Sequence, residues 1–106
     1  MSESKILYNV TIQVETQVTE EWLQWMKTKH IPDVMATGMF ESYQINRVIK
    51  DEEGGITYAV QYVCPDMKTL HQYQIKHAQK LQAEHTQRYQ GKFVAFRTLM
   101  EILDQG

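Results

Sequence analysis

The sequence predicts an α+β domain of the ferredoxin-like class, in which the order β-α-β-β-α-β gives a four-stranded antiparallel sheet with two helices on one face. Three observations predict this fold. Four segments are β-prone and largely apolar, most clearly the first, where apolar residues recur with a period of two. Two others have the apolar spacing of amphipathic helices, and a charged loop ending in two glycines joins the middle two strands. Because the chain has 106 residues and no linker or repeat, we expect residues 1–106 to form one domain.

The first half of the chain is predicted to form a strand followed by a helix. A strand is predicted over Lys5–Val14, because its even positions are apolar and its odd positions are mostly polar. Thr19 fits the N-cap of the helix, with two glutamates following in the first turn. We expect the helix to end near His30, because Pro32 disfavours helical geometry at the residue before it. Pro32 can open a short further turn that stops at Gly38.

The second half is predicted to form a hairpin, a long helix and a final strand. The hairpin strands are predicted over Phe40–Lys50 and Ile56–Cys64, on either side of the charged loop. Asp66 fits the N-cap of a helix that runs toward Tyr89. The final strand is predicted over Phe93–Leu103, after a glycine that ends the helix.

The final strand lacks a clean alternation, because both of its faces are largely apolar. Association stabilises such a sheet by roughly 25 cal/mol per Å² of apolar surface removed from water. We therefore expect a two-fold homodimer with the sheets face to face, the dimeric α/β barrel. The even positions that can face the helices are Val94, Phe96, Met100 and Ile102, and the odd positions on the other face are Phe93, Ala95, Leu99 and Leu103.

Polar side chains on the face toward the partner are candidate ligand-binding residues. They are predicted to orient a small polar or anionic molecule, and they are Asn9, Thr11, Gln61 and Arg97, with Glu101 toward the rim. The parity of the second strand stays open. Either Tyr43 and Arg47 or Gln44 and Asn46 point inward.

His30 is the candidate catalytic residue, because an imidazole titrates near neutral pH and can act as a general base or hydrogen-bond donor. Asp33, one turn away, is placed to orient it. The alternative is a structural role, in which a histidine at a helix C-terminus interacts favourably with the helix dipole.

The other histidines and the tryptophans are predicted to be structural. His71 and His85 are expected on the solvated side of the long helix, whose apolar stripe passes through either His77 or Ala78. The two tryptophans of the first helix are expected in the core or at an interface rather than stacked on a ligand.

Several segments together resemble a small bacterial family of unknown function. They are Tyr8-Asn9-Val10-Thr11, residues 22–38, Tyr62-Val63-Cys64-Pro65 and residues 91–99. The resemblance covers nearly the whole chain and implies the dimeric α/β-barrel fold, with no established activity. Trp25 followed by His30-Ile31-Pro32 and Gly38 is also similar to a pattern in the ether-degradation family and the antibiotic-biosynthesis monooxygenases.

A second pairing resembles a haem site. Asn9 and His77 resemble the Asn and His of haem-degrading dimeric barrels. Those proteins also use a tryptophan on a different element, whereas both tryptophans here lie on the first helix. We therefore expect no cofactor.

Composition argues against several other classes. The net charge of −2 and pI near 6.0 give no basis for nucleic-acid binding, and no apolar run is long enough to span a bilayer. The polar N-terminus and the single cysteine, Cys64, lead us to expect a cytoplasmic protein, and the family resemblance implies a bacterial one. Metal-ligand spacings such as Cys-x-x-Cys are missing from the sequence, so we expect no metal.

Two functional classes follow. The first is a small-molecule-binding protein whose pocket lies between sheet and helices; a small cofactor-independent monooxygenase- or isomerase-like enzyme is a variant of it, with His30 as acid or base. The second is a non-catalytic structural or regulatory dimer, in which Phe93, Leu99 and Leu103 fill that space. An enzyme requires an open cavity of roughly 300 Å³ or more that reaches His30.

Overall fold

A computed structural model describes residues 4–50 and 53–106. Its four strands form one antiparallel sheet in the order β2-β3-β1-β4, with β1 and β3 at the centre. The strands are β1 (Ile6–Val14), β2 (Ser42–Arg47), β3 (Ile56–Cys64) and β4 (Phe93–Glu101). The predicted ferredoxin-like order is confirmed, and β3 has the predicted bounds.

Each of the two helical runs contains a π-helical turn. The first run consists of a 3-10 turn (Thr16–Val18), α1 (Thr19–Trp25), a π turn (Met26–His30) and α2 (Ile31–Met35). The second consists of α3 (Met67–Tyr73), a π turn (Gln74–Ala78) and α4 (Gln79–Arg88). Helical structure thus continues through residues 26–35, and the predicted end near His30 was wrong.

The first π turn explains how the helix passes Pro32. A proline has no N–H to donate, and in a regular helix its ring conflicts with the carbonyl one turn back. Here the N–H of Ile31 bonds to the carbonyl of Met26, five residues back, so the bonding register shifts just before the proline. The run ends before Gly38, whose φ of +77° is the left-handed geometry that glycine tolerates.

Each π turn adds one residue to its helical run, which changes the spacing of the buried residues. The first run buries Trp22, Met26, Ile31 and Val34, and the second buries Leu70, Tyr73, Ala78 and Leu81. Each set contains one step of five residues, across its π turn, instead of three or four. Ala78 therefore takes the inward position that the sequence left open between it and His77.

The two predicted helix caps had opposite outcomes. Asp66 is the N-cap of α3, and its Oδ1 accepts a hydrogen bond from the N–H of Thr69 at 2.8 Å. The prediction for Thr19 was wrong, because Val18 occupies the cap position without a side-chain hydrogen bond. The Thr19 hydroxyl is buried instead and shares a 2.5 Å hydrogen bond with the Tyr58 hydroxyl of β3.

The face assignment of β4 was also wrong. Residues directly opposite each other in an antiparallel pair lie on the same face of the sheet. Arg97 lies opposite Val10, a helix-facing residue of β1, so the odd positions of β4 face the helices. The even positions Val94, Phe96, Thr98 and Met100 lie on the face away from the helices, which we call the open face.

The register also settles the parity of β2. Tyr43 lies opposite Tyr62 on the helix side, and Arg47 lies opposite Tyr58 on the same side. Gln44 and Asn46 therefore lie on the open face.

The core lies between the helices and the helix side of the sheet. Trp22 and Met26 are fully buried there, and the ring of Trp22 packs 4.7 Å from that of Tyr58 between centroids. Trp22 is therefore a core residue, as predicted. Within the described ranges, no helix combines the length and apolarity that crossing a membrane requires.

The Asp66 cap can be tested by mutation. Asp66→Ala leaves the N–H of Thr69 without its side-chain acceptor, so we expect a loss of about 1 kcal/mol in the free energy of unfolding. Urea denaturation followed by circular dichroism measures it. Asp104→Ala in the exposed tail is the control and should change stability by less than about 0.5 kcal/mol. Equal effects of the two substitutions would contradict a capping role.

Candidate ligand cavity between the helices and the sheet

A cavity of about 150 Å³ lies between the helices and the helix side of the sheet. Strands β1, β3 and β4 form its floor, and both helical runs contribute to its walls. Its lining residues are Tyr8, Val10, Ile12, His30, Val34, Tyr62, Tyr73, Leu81, Gln82, His85, Thr86, Phe93, Ala95 and Arg97. Two of the residues predicted from the sequence, His30 and Arg97, are brought together here.

Arg97 supplies the positive charge of the cavity. Its Nε–H donates to the hydroxyl of Tyr8 at 3.1 Å, and the ring of Tyr8 stacks on that of Phe40 at 5.9 Å. This bond holds the guanidinium over the floor of the cavity. Its terminal N–H groups have no hydrogen-bond or ion-pair partner within residues 4–50 and 53–106, so they are available to a ligand.

Tyr62 and Tyr73 place two buried phenols in the same lining. Both side chains are almost completely buried, and burial raises the pKa of each phenol, so both remain protonated donors. Neither hydroxyl has a hydrogen-bond partner in the described part of the chain. The rings of Tyr8, Phe40, Tyr62 and Tyr73 pack against one another with centroids 4.8–6.0 Å apart.

A hydrogen bond from Trp22 holds the neutral ring of His85 in one tautomer. The indole Nε1–H donates to Nε2 of His85 at 2.9 Å, so that nitrogen carries a lone pair and Nδ1 carries the proton. Burial, with smaller contributions from His30 and Arg97, lowers the pKa of His85 to about 4. The imidazole is therefore neutral at pH 7.

His30 ends the first π turn and lines the cavity beside His85. Its ring stacks on Trp25 at 5.2 Å and lies 5.7 Å from the ring of His85. Burial lowers the pKa of His30 to about 4; Arg97 and Lys29 lower it further, and Asp33 opposes them. The alternative role at a helix C-terminus was wrong, because helical structure continues beyond His30.

Asp33 does not belong to the cavity lining. Its Oδ2 accepts a 2.6 Å hydrogen bond from Nζ of Lys29 on the helix surface. This pair satisfies the carboxylate, and the geometry gives no support to the predicted role of Asp33 in orienting His30.

The remaining predicted ligand residues lie on the open face. Gln61 Nε2 donates to Asn9 Oδ1 at 3.2 Å, and Asn9 Nδ2 donates to Thr11 Oγ1 at 3.0 Å. The strand register therefore separates these three residues from Arg97 by the thickness of the sheet. Glu101 also departs from the prediction, since it lies opposite Ile6 on the helix side.

Sequence reasoning missed the largest part of the site. His85 was placed on the solvated side, but it is only 7% exposed. The available signal was its spacing, because His85 lies four residues after Leu81 and four before Tyr89, both buried. The phenols of Tyr8 and Tyr62 were counted only as apolar positions of strands.

Within this single chain, the residues that would fill the space in a structural dimer leave it open. Leu103 is 85% exposed, Leu99 is 44% exposed, and Phe93 packs against the edge of His85 at 4.4 Å. The cavity thus reaches His30, although its volume is below the roughly 300 Å³ expected for larger ligands. A group of three or more side chains suited to holding a metal is not found among the described residues.

Comparison with known proteins places the chain in a family. The profile of the domain of unknown function DUF4286 matches residues 5–103. The chain belongs to the DUF4286 family. This confirms the resemblance to a family of unknown function. No curated protein sequence matches the chain.

Solved structures share the fold at low sequence identity. A dimeric ferredoxin-like protein from an uncultured marine organism is 8% identical, with a TM-score of 0.71 over 98% of this chain and 100% of that one. An EthD-like protein from Ralstonia eutropha JMP134 is 10% identical, with a TM-score of 0.72 over 98% and 96%. A variant of SnoaB, a cofactor-independent oxygenase from Streptomyces nogalater, is 8% identical, with a TM-score of 0.68 over 96% of each chain. These neighbours establish the fold of this DUF4286 member, and its chemistry must come from its own residues.

The two histidines of the cavity predict that the fold becomes less stable in acid. Between their pKa values of about 4 in the folded chain and the ordinary value of 6.5, the unfolded chain binds more protons. The free energy of unfolding should therefore fall as the pH is lowered from about 6.5 to about 4, by up to about 3 kcal/mol per histidine. Urea denaturation at a series of pH values measures this slope.

Two variants identify the source of the slope. His30→Asn should make the slope shallower, because one of the two titrating groups is removed. The exposed His71→Asn variant should keep the slope of the unmodified protein. The assignment fails if both variants show that same slope.

Proposed function

We propose that this protein binds a small organic anion in the cavity between the helices and the sheet, and that it does so as a homodimer. Arg97 would hold the anionic group. The neutral imidazoles and the phenols would bind the remaining polar atoms. No catalytic step is needed for this proposal.

The supporting observation is a set of polar groups around the cavity, three of them on buried side chains, that have no partner. Native proteins pair almost all of their buried donors and acceptors with protein or with bound molecules. Five side chains around one cavity carry polar groups that lack such a partner within the described residues. The buried ones are Nδ1 of His85 and the hydroxyls of Tyr62 and Tyr73, and the others are both ring nitrogens of the half-buried His30 and the terminal groups of the exposed Arg97. A polar ligand would satisfy them together.

The charge of the lining favours an anion. It includes one guanidinium, and none of the described residues that line it is a carboxylate. Both histidines are neutral at pH 7, so Arg97 contributes the full positive charge. A charge-assisted bond from a guanidinium to a carboxylate is stronger than a bond between neutral groups. The volume of about 150 Å³ limits the ligand to a few carbon atoms.

The open face supports the homodimer. Every strand residue on this face is described by the structure, and none of them is charged: Leu7, Asn9, Thr11, Gln13, Ser42, Gln44, Asn46, Thr57, Ala59, Gln61, Val63, Val94, Phe96, Thr98 and Met100. The centres of protein interfaces are depleted of charged residues in the same way. The apolar part of the face lies on β4, where Val94 and Phe96 are more than 60% exposed.

The polar part of the open face also suits a two-fold interface. A row of side chains crosses all four strands in register, formed by Gln44, Gln61, Asn9 and Thr98. A two-fold interface brings the same surface of two copies together, so its groups must complement themselves. Each amide carries both a donor and an acceptor, and a hydroxyl can act as either, which meets that requirement. The neighbour from the marine organism is itself named as dimeric.

The proposed ligand site is tested by titrating short carboxylic acids, acetate, propionate and butyrate, into the protein and measuring binding by calorimetry. We expect at least one acid to bind, and Arg97→Gln to weaken its binding about tenfold or more, because the charge-assisted bonds are lost. Arg47→Gln, on β2 and outside the cavity lining, is the matched control and should bind as the unmodified protein does. If no acid binds, or if both variants bind equally well, the proposal is wrong.

The homodimer is tested by sedimentation velocity at micromolar concentration, where we expect twice the chain mass of 12.5 kDa. Phe96→Glu should shift the protein to monomers, because it would bury a charge within the proposed interface. Ile49→Glu is the control, since Ile49 is even more exposed than Phe96 but lies beyond the end of β2. A monomeric unmodified protein would remove this part of the proposal.

A further inference from the structure

We propose that the Trp22–His85 hydrogen bond makes the cavity selective for short carboxylic acids that carry a second oxygen, an oxo or hydroxy group. His85 Nδ1–H would donate to that second oxygen while Arg97 binds the carboxylate. This inference rests on the proposed function, because it names the class of anion that the same cavity takes.

The first step is the direction of the hydrogen bond. An indole nitrogen can donate but cannot accept, so the 2.9 Å contact fixes Nε2 of His85 as the acceptor. Nδ1 must then carry the ring proton. In a free imidazole the proton exchanges between the two nitrogens, and here Trp22 removes that choice.

The second step is the rigidity of the donor. Trp22 is fully buried and its ring is packed against Tyr58 at 4.7 Å. The His85 ring is enclosed by Trp25, Tyr89 and Phe93, with centroids 4.4–5.9 Å away. Both rings are therefore held by packing as well as by the bond. His85 presents a fixed donor, which favours a ligand with an acceptor in one position.

The third step is the missing acceptor. His85 is 7% exposed and lines the cavity, yet its Nδ1–H has no acceptor within the described ranges of the chain. A buried donor without a partner is unfavourable, and a bound oxygen would relieve this. A plain carboxylic acid held by Arg97 supplies no atom for this donor beyond the carboxylate itself.

His30 extends the same argument to hydroxy acids. Its ring lies 5.7 Å from that of His85, and it is neutral at pH 7 with a lone pair that no described residue binds. A hydroxyl oxygen between the two rings would accept from His85 and donate to His30. An oxo oxygen would accept from His85 alone. Both classes therefore satisfy the fixed donor.

The test compares acids of equal chain length that differ only in the second oxygen. Pyruvate and lactate should bind the unmodified protein about fivefold or more tightly than propionate, which is the gain expected of one hydrogen bond. Trp22→Phe removes the donor that fixes His85, and the preference should fall below about twofold. Trp25→Phe is the matched control: Trp25 also contacts His85, but its indole makes no hydrogen bond to it, so the preference should remain.

A second measurement reports the protonation of His85 directly. In ¹⁵N spectra of the histidine side chains, the unmodified protein should show His85 protonated at Nδ1, and Trp22→Phe should shift the proton toward Nε2. If Trp22→Phe does not fold, the spectrum of the unmodified protein and the acid preference of His85→Leu replace it. Protonation at Nε2 in the unmodified protein overturns the inference, as does a full preference retained in His85→Leu.

The two proposals fail in different ways. If propionate and the oxygenated acids all fail to bind, the proposed function is wrong and this inference falls with it. If all of them bind with equal affinity, the anion site stands and the selectivity is wrong. If the oxygenated acids are preferred and Trp22→Phe abolishes the preference while Trp25→Phe keeps it, both proposals are supported.

Discussion

The alternation of side chains along β1 is the constraint on which both surfaces of this protein depend. Because β1 pairs with β3 on one side and β4 on the other, its parity sets the parity of both neighbours. Even positions, such as Tyr8 and Val10, carry the floor of the cavity. Odd positions, such as Asn9 and Thr11, carry the uncharged open face. A slip of one residue in the register of β4 would move Arg97 from the cavity to the opposite side of the sheet.

The cavity lowers the stability of the folded chain, and a chain of this size has little stability to lose. A chain of 106 residues can form only a small core of limited stability, and an unsatisfied buried polar group lowers stability by about 1–3 kcal/mol. Several such groups around one space are hard to explain as packing errors, because apolar side chains of similar shape would be more stable. The arrangement is easier to understand as a site whose polar groups are partnered when a molecule is bound.

The π turns connect local sequence to this site. Each adds one residue to a helical run, and each lies next to a histidine or an aromatic residue of the cavity. His30 is the last residue of the first π turn, and Tyr73 immediately precedes the second. Such turns are uncommon and are found frequently at functional sites. The shared fold of proteins that are 8–10% identical shows that this scaffold tolerates very different residues, so the site is specified by the side chains that each chain places on it.

The sequence by itself determined the features that depend on nearby residues. The strand over Ile56–Cys64 and the Asp66 cap could be predicted, because a β-prone run beside a glycine-ended loop and a helix cap are each decided within a few positions. The face of Arg97, the burial of His85 and the partner of Thr19 were decided only by the tertiary structure. Each depends on a residue far away in the chain: Val10 for Arg97, Trp22 for His85 and Tyr58 for Thr19. A strand that is apolar on both faces fits either parity equally well, and only pairing with β1 selects one.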